Sequence, residues 1–214
     1  EVKIKEAIRE TGRSGLDIPA SKVIPKVPYG ECFQNWEGPL NYAVDIDQIS
    51  TAEYWHLKDT QPSFIVKEGL GSLVATLNNN FPIVQNTTVH EIDYSGTGVE
   101  VVTSKGTITA RGCICTVSIG VLKSEKLKFF PTLSSNVQKA LDGIQMGLLV
   151  KIPLLFDGSR LGFTENSFLQ YDIAEKEIGR GCYFLAWPTG HDYIVGFIGG
   201  RFAWNLSKQS EGEI

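Results

Sequence analysis

The spacing of apolar residues predicts several helices. One follows Gly69 and Gly71, where residues three and four apart fall on one helix face: Leu70, Leu73, Val74 and Leu77. A second spans residues 134–144, begins at a serine that can cap it, and has Val137, Ala140, Leu141 and Ile144 on one face. Shorter helical patterns occur at residues 1–12, 45–55 and 202–208.

Strand patterns fill most of the remaining chain. Residues 99–103 and 107–110 alternate about Ser104-Lys105-Gly106, which predicts a hairpin, and residues 83–84, 86–92 and 113–117 are expected to be extended. The run at 113–117 is typical of a buried strand. Four further patterns, at 148–156, 167–171, 182–187 and 193–198, are separated by gaps of hairpin length. The pattern therefore predicts an α+β fold: a mainly antiparallel sheet with flanking helices, plus a smaller part made of a helix and a β-meander.

Composition places the chain among globular proteins and argues against two classes of partner. Hydrophobic residues make up 42% of the chain and charged residues 21%. The net charge is −4, and no block of lysine and arginine is interleaved with aromatic residues, so we expect no nucleic-acid partner. No apolar run approaches the ~18 residues that a membrane-spanning helix needs, so we expect no membrane partner.

The cysteines do not follow a disulfide or zinc-binding pattern. Cys113 and Cys115 are two positions apart in a predicted strand, so they share a face but are poorly placed to bond each other. With Cys32 and Cys182 they offer no second ligand pair at the spacing of a zinc site, and no metal is expected. Buried free thiols are the expectation, which favours a reducing compartment such as the cytoplasm.

Motifs of two large enzyme classes are incomplete in this chain. Gly69-Leu70-Gly71 begins like a dinucleotide-binding loop, but Val74 stands where the third glycine belongs. Ser118-Ile119-Gly120 is half of a nucleophile elbow, with Thr116 in place of its first glycine. The sequence therefore contains neither a Rossmann fingerprint nor a hydrolase serine motif.

Lys151 lies in the apolar strand pattern at 148–156. A charged side chain in such a run needs water, a partner or a function. Alternation along the strand places Lys151 on the same face as Leu149, Pro153 and Leu155. The residues alone support two interpretations equally. Lys151 is either an edge-strand lysine that reaches solvent, which Pro153 supports, or a lysine directed into a polar spot beside a cofactor.

Aromatic residues concentrate on the two adjacent strand patterns at 182–187 and 193–198. Phe184, Trp187 and Phe197 are the candidate lining of a pocket for an apolar or cationic ligand. Core packing is the commoner role of such residues. The sequence pattern does not separate the two roles.

The order of these motifs resembles the flavin-dependent amine oxidase family. The matching segments are, in chain order, EGLGSL (68–73), NTTVHEI (86–92), VEVVTSKG (99–106), ICTVSIGVLK (114–123), FFPTL (129–133) and MGLLVKI (146–152). The match is nearly continuous from about residue 64 to residue 204. A long ordered series of this kind is more specific than any one of its motifs.

The resemblance implies an FAD-dependent enzyme that oxidises a primary or secondary amine. The hydride next to nitrogen would be delivered to flavin N5, the imine hydrolysed, and the flavin reoxidised by O₂ with release of H₂O₂. Lys151 would hold a water against N5, where a cationic donor stabilises developing negative charge. The backbone of Val89 would meet the FAD adenine, and Thr116 and Val117 are also expected to bind the cofactor. A small amine and O₂ are the expected partners.

The resemblance also implies a division of the chain. Residues 1–63 would be a helical part of the substrate domain, residues 64–121 the middle of the FAD domain, and residues 122–214 the substrate-binding sheet. The family's G-x-G-x-x-G unit would precede this chain and its C-terminal flavin segment would follow it. The chain by itself is therefore expected to be inactive and to bind FAD weakly or not at all. A related flavoprotein, such as a protoporphyrinogen oxidase or carotenoid desaturase, and a flavin-free binding module are the alternatives.

Overall fold

The computed structural model describes residues 1–58, 60, 62–77 and 80–209. Contacts divide the chain into two compact units. The sheet unit joins Glu1–Gly69 to the chain from Gly147 onward, and the meander unit is Leu70–Met146. The segments predicted from the sequence end at residues 63 and 121, and their assignment to substrate and FAD domains stays a prediction.

The helices and strands alternate along the chain in short pieces. The α-helices of the described residues are α1 (Val2–Arg13), α2 (Gly30–Asn35), α3 (Thr51–His56), α4 (Leu70–Leu77), α5 (Ile119–Lys123), α6 (Ser135–Gly143) and α7 (Gly200–Leu206), and a π-helical segment, Trp36–Tyr42, continues α2. The strands are β1 (Val89–Asp93), β2 (Val99–Thr103), β3 (Gly106–Ala110), β4 (Lys128–Phe130), β5 (Leu149–Leu155), β6 (Ser167–Leu169), β7 (Tyr183–Ala186) and β8 (Tyr193–Gly199).

The helical part of the sheet unit is organised around α1. Ile4 and Ile8, one turn apart on α1, are completely buried and pack with Phe33, Ile46 and Tyr54. Glu37, on the π-helical segment, is buried as well. It accepts hydrogen bonds from the hydroxyl of Tyr54 and, at 3.0 Å, from the amide of Asn41. These contacts join α1, α3 and the π-helical segment into one cluster.

The sheet of the sheet unit is antiparallel throughout, with strand order β5–β8–β7–β6. Its four strands confirm the four strand patterns of the second half of the sequence and their antiparallel arrangement. β5 is an edge strand, as Pro153 predicts, because proline has no N–H to donate to a second neighbour. α7 follows β8 without an intervening loop.

The meander unit has a second sheet, with strand order β3–β2–β1–β4. The predicted hairpin is confirmed, since β2 and β3 pair antiparallel and Thr103 lies opposite Gly106. β4 is parallel to β1. The predicted helices α4 and α6 are present, and the Ser134 hydroxyl caps α6 by accepting a hydrogen bond from the backbone N–H of Val137 at 3.4 Å.

Two strand predictions in the meander unit are wrong. Residues 83–84 and 113–117 form no strand, and Ile114 is 91% exposed. A strand exists only where a neighbouring strand satisfies its backbone groups, and in the described residues it is β4 that occupies the second edge of β1. The expected burial of Cys113 and Cys115 fails for the same reason, whereas Cys32 is buried and all four cysteines are free thiols.

The two sheets and their short helices confirm the α+β class. Within the described ranges, no helix is long and apolar enough to cross a bilayer.

Candidate functional site

Lys151 projects from β5 next to an aromatic ring. It lies directly opposite Phe197 on β8, and its ammonium nitrogen is 5.8 Å from the centre of the Phe197 ring. The side chain is exposed, and no hydrogen-bond acceptor or carboxylate among the described residues pairs with the ammonium group. Its hydrogen-bond donors are therefore available to a ligand.

Phe197 belongs to a row of aromatic side chains that crosses the sheet. Residues directly opposite each other on antiparallel strands share a face, so Lys151, Phe197 and Tyr183 lie on one face of β5, β8 and β7. The Trp36 ring contacts both Tyr183 and Phe168 edge to face, with ring centres 5.4 Å apart in each case. We call Phe197, Tyr183, Trp36 and Phe168 the aromatic row; Lys151 stands at its β5 end.

Tyr183 is the fixed member of the aromatic row. It is 1% exposed, and its hydroxyl donates a hydrogen bond of 2.8 Å to the carbonyl of Cys32 on α2. Burial raises the pKa of Tyr183 far above its usual range, so the hydroxyl stays protonated and keeps donating. The residue opposite Phe197 on β7 is therefore a buried tyrosine that is hydrogen-bonded to α2.

Phe184 and Trp187 lie elsewhere. Phe184 is opposite Gly196, one residue away from Phe197, and so points to the other face of the sheet. There it packs against a hydrophobic cluster formed by Ala186, Trp187 and Ile194. Trp187 is 1% exposed. The structure brings Lys151 and Phe197 together and places Phe184 and Trp187 in the core on the opposite face.

The predicted cofactor residues Val89, Thr116 and Val117 belong to the meander unit. Val89 begins β1 and pairs with Thr103 of β2, but β4 pairs with β1 only from Glu91 onward. On that edge the backbone at Val89 has no strand neighbour among the described residues. Residues 112–117 form an exposed segment without regular secondary structure that makes no hydrogen bond within the described part of the chain. Both places offer backbone donors and acceptors to a ligand.

An ion-pair fork in the sheet unit was not predicted. The guanidinium of Arg201 donates to Asp45 at 2.8 Å and to Asp47 at 2.9 Å. Asp45 is only 9% exposed, and this burial raises the pKa of its carboxyl even though Arg201 is adjacent. The partners are separated by 156 positions in the chain, and no local sequence pattern links residues so far apart.

Trp36 was also missed. It lies on the π-helical segment, whose Pro39 and Gly38 give the sequence the character of a connection rather than a helix. The only signal for its position is the helical spacing of Cys32, Phe33 and Trp36, which falls in a stretch too short to stand out.

Comparison with known proteins places this chain in a family. Residues 31–214 match the family model described as flavin-containing amine oxidoreductase. The chain belongs to this family. The match is to amine oxidoreductases, and it does not favour the flavin-free module or the related flavoproteins considered above.

Two relatives illustrate the similarity. Over 161 residues the chain is 30% identical to lysine-specific histone demethylase 1 homolog 2 of Arabidopsis thaliana, a match that covers 72% of this chain and 21% of the relative. Over 184 residues it is 32% identical to polyamine oxidase 4 of Oryza sativa subsp. japonica, covering 80% of this chain and 35% of the relative. The chain thus spans about a fifth to a third of these relatives.

Solved structures share the fold. Cyclohexylamine oxidase from Brevibacterium oxydans IH-35A matches 99% of this chain and 54% of its own, with a TM-score of 0.65 and 16% identity. A putrescine oxidase variant with redesigned cofactor binding matches 91% of this chain and 46% of its own, with a TM-score of 0.64 and 12% identity. These similarities confirm the amine-oxidase type of fold.

The described residues fit a flavin cofactor in two respects. The exposed ammonium of Lys151 offers donors that no group in the described part of the chain uses, as a lysine next to a redox-active ring would need. The open β1 edge at Val89 offers backbone groups that suit a purine base. These two features lie in different units.

Proposed function

We propose that the intact protein containing this chain is an FAD-dependent amine oxidase that oxidises a primary or secondary amine to an imine. Membership of the flavin-containing amine oxidoreductase family supports the proposal. The observation that carries it is the state of Lys151, an exposed ammonium on an apolar edge strand with no acceptor among the described residues. Such an ammonium keeps its hydrogen-bond donors available to a cofactor bound against this face of the strand.

Lys151 would act as the cationic donor on the N5 side of the flavin. Bound FAD would supply a two-electron acceptor, which takes the hydride from the carbon next to the amine nitrogen and passes the electrons to O₂ to give H₂O₂. Lys151 would hold a water by hydrogen bonding, and its charge would stabilise negative charge that develops nearby. The face of Phe197 attracts the ammonium, a contact worth about 0.5–1 kcal/mol at an exposed site, and so restricts its motion.

The other predicted residues would have supporting roles. The backbone of Val89 would bind the adenine at the open edge of β1, and Thr116 and Val117 would contact the cofactor along the exposed segment 112–117. In the sheet unit, Phe197 would contribute to the substrate pocket on the Lys151 face. Phe184 and Trp187 would support that pocket through the core behind it.

The test is a panel of amines offered to the intact protein. The relatives include a polyamine oxidase, a cyclohexylamine oxidase and histone demethylases, so the panel contains spermine, putrescine, cyclohexylamine and a methylated lysine peptide. We expect at least one amine to bleach the flavin anaerobically and, in air, to release one H₂O₂ per amine oxidised. Flavin that no amine reduces would overturn amine oxidation, and an intact protein without flavin would overturn the proposal entirely.

A further inference from the structure

Leu148, three residues before Lys151, is held through both of its backbone groups. Its N–H donates to the carbonyl of Ala43 at 3.0 Å, and its carbonyl accepts from the N–H of Gly200 at 3.1 Å. Ala43 lies just after the π-helical segment, and Gly200 is the first residue of α7. The residue that leads into β5 is therefore bonded both to the segment after the π-helix and to the first residue of α7.

The fork of Arg201 closes these contacts into a ring. Arg201 follows Gly200, and its partner Asp45 is two residues after Ala43. The path runs from Ala43 to Leu148, on to Gly200 and Arg201, and across the ion pair back through Asp45. We call these five residues the latch. Asp47 adds a second, more exposed arm to Arg201.

Close packing leaves the latch little freedom. A Cβ atom added to Gly200 would lie 2.4 Å from the Asp45 Oδ1 atom, and one added to Gly147 would lie 2.7 Å from the Ala43 carbonyl oxygen. Gly200 is therefore in contact with a buried carboxylate and Gly147 with backbone, and neither neighbour is the end of a flexible side chain. A displacement of α7 would move Leu148 with it.

Burial of the Asp45 carboxylate, which links the segment after the π-helix to α7, is unfavourable for the free energy of folding. Asp45 is nine-tenths buried, and its Oδ1 atom has no hydrogen-bond partner in the described part of the chain. Burying a carboxylate with one oxygen unsatisfied opposes folding, and an ion pair of this kind contributes little net stability. What the pair does contribute is a defined geometry for the junction of β5, α7 and the segment after the π-helix.

We propose that Asp45 and Arg201 are positioning residues for Lys151: their ion pair holds the segment after the π-helix against α7, and because both are hydrogen-bonded to Leu148, the pair fixes the backbone from which the lysine projects. The structural part of this inference concerns the sheet unit alone. Its catalytic meaning rests on the function proposed above for Lys151.

Hydrogen exchange of the intact protein tests the structural part. We expect Asp45→Asn to speed exchange of the Leu148 and Gly200 amides by roughly tenfold, since both are protected by the latch. Amides of β2, in the meander unit, should not change. Asp192→Asn is the matched control, because it breaks an exposed ion pair, Arg160–Asp192 at 2.7 Å, outside the latch.

Two results would overturn the latch. One is unchanged exchange at Leu148 and Gly200 in Asp45→Asn; the other is an equal acceleration at every amide, which would indicate a general loss of stability. Arg201→Lys serves if Asp45→Asn does not fold, because it keeps the charge but cannot reach both carboxylates in a fork. Arg201→Lys should speed hydrogen exchange of the Leu148 and Gly200 amides to a smaller degree. Unchanged exchange at these amides would also contradict the latch.

A double-mutant comparison tests the link to Lys151. In the flavin-loaded protein, Asp45→Asn should slow flavin reoxidation severalfold, and it should have little further effect when Lys151→Met is already present. Additive effects of the two substitutions would contradict a positioning role. If Lys151→Met alone changes nothing, the proposed function of Lys151 fails, while the exchange experiment still decides whether the latch exists.

Discussion

Lys151 and Asp45 are charged residues of the sheet unit in opposite surroundings. The ammonium of Lys151 is exposed above the Phe197 ring and is not paired with any described carboxylate. The carboxylate of Asp45 is buried and bound to Arg201. Because the Lys151 ammonium is available to a ligand, we assign to it the proposed role at the flavin. Because the Asp45 carboxylate is held in place by Arg201, we assign to Asp45 the role of positioning Lys151.

The raised pKa of Asp45 predicts a definite pH dependence of stability. Burial disfavours the charged form, so the folded protein binds this proton more tightly than the unfolded chain, in which the pKa lies near 3.8. Asp45 therefore contributes stability that is fully present below pH 3.8 and is lost as pH rises through the folded-state pKa. Asp45→Asn lacks this titration.

The measurement is urea unfolding of both proteins between about pH 3.5 and pH 7. The unfolding free energy of the native protein minus that of Asp45→Asn should fall as pH rises from about 3.5 through the folded-state pKa of Asp45, and should then level off. A difference that grows with pH would show instead that the pairing with Arg201 outweighs burial.

The position of a residue could be predicted from the sequence only where the residues close to it in the chain determine that position. The edge position of the strand that carries Lys151 follows from Pro153, which lies two residues away. Whether Lys151 faces solvent or a cofactor did not follow from the local pattern. The pairing of Asp45 with Arg201 is created only by folding, because no pattern in either segment refers to the other.

The end of β8 lies directly against the π-helical segment. A Cβ atom added to Gly199, the last residue of β8, would lie 1.8 Å from the carbonyl oxygen of Pro39. Only a residue without a side chain allows the segment to lie directly on the sheet at this point.

Gly199→Ala should therefore destabilise the sheet unit by about 3 kcal/mol, at the upper end of typical overpacking costs. The matched control is Gly112→Ala, where the added Cβ would meet nothing within 4 Å and the change should stay within about 0.5 kcal/mol. Urea unfolding measures both. If Gly199→Ala and Gly112→Ala had the same free energy of unfolding, the direct contact of β8 with the π-helical segment would be contradicted.

Most correct strand predictions concern segments that pair with a neighbour in sequence. The strands β6, β7 and β8 and the hairpin of β2 and β3 do so, whereas β5 was predicted correctly although its partner β8 is distant in the chain. Residues 113–117 have an equally strong strand pattern but no partner among the described residues. Periodicity shows that a segment can form a strand, and only a neighbour makes it one.

At the scale of the whole molecule, the predicted cofactor positions are divided between the units: Lys151 lies in the sheet unit, and Val89, Thr116 and Val117 lie in the meander unit. The order of motifs along the sequence was sufficient to indicate the family and the α+β class. The unit boundaries near residues 70 and 146 were not predicted, because they depend on contacts between distant parts of the chain.

The 214-residue chain taken alone should bind FAD weakly or not at all. It contains no complete G-x-G-x-x-G sequence, since Val74 stands at the third glycine position after Gly69 and Gly71, and so it lacks the loop that binds a pyrophosphate at a helix N-terminus. Gel filtration with excess FAD, followed at the flavin absorbance, measures the bound fraction. A yellow complex with one FAD per chain would contradict this expectation.

The most direct test of the account is the oxidative half-reaction of the intact flavin-loaded protein. Reduced enzyme is mixed with O₂ and the return of flavin absorbance is timed for the native protein, for Lys151→Met, and for Lys176→Met as an exposed lysine control in the same unit. We predict that Lys151→Met reoxidises at least about tenfold more slowly, a loss of ~1.4 kcal/mol of transition-state stabilisation, and that Lys176→Met matches the native rate. Equal rates in all three proteins would show that Lys151 is an edge-strand lysine without a role at the flavin.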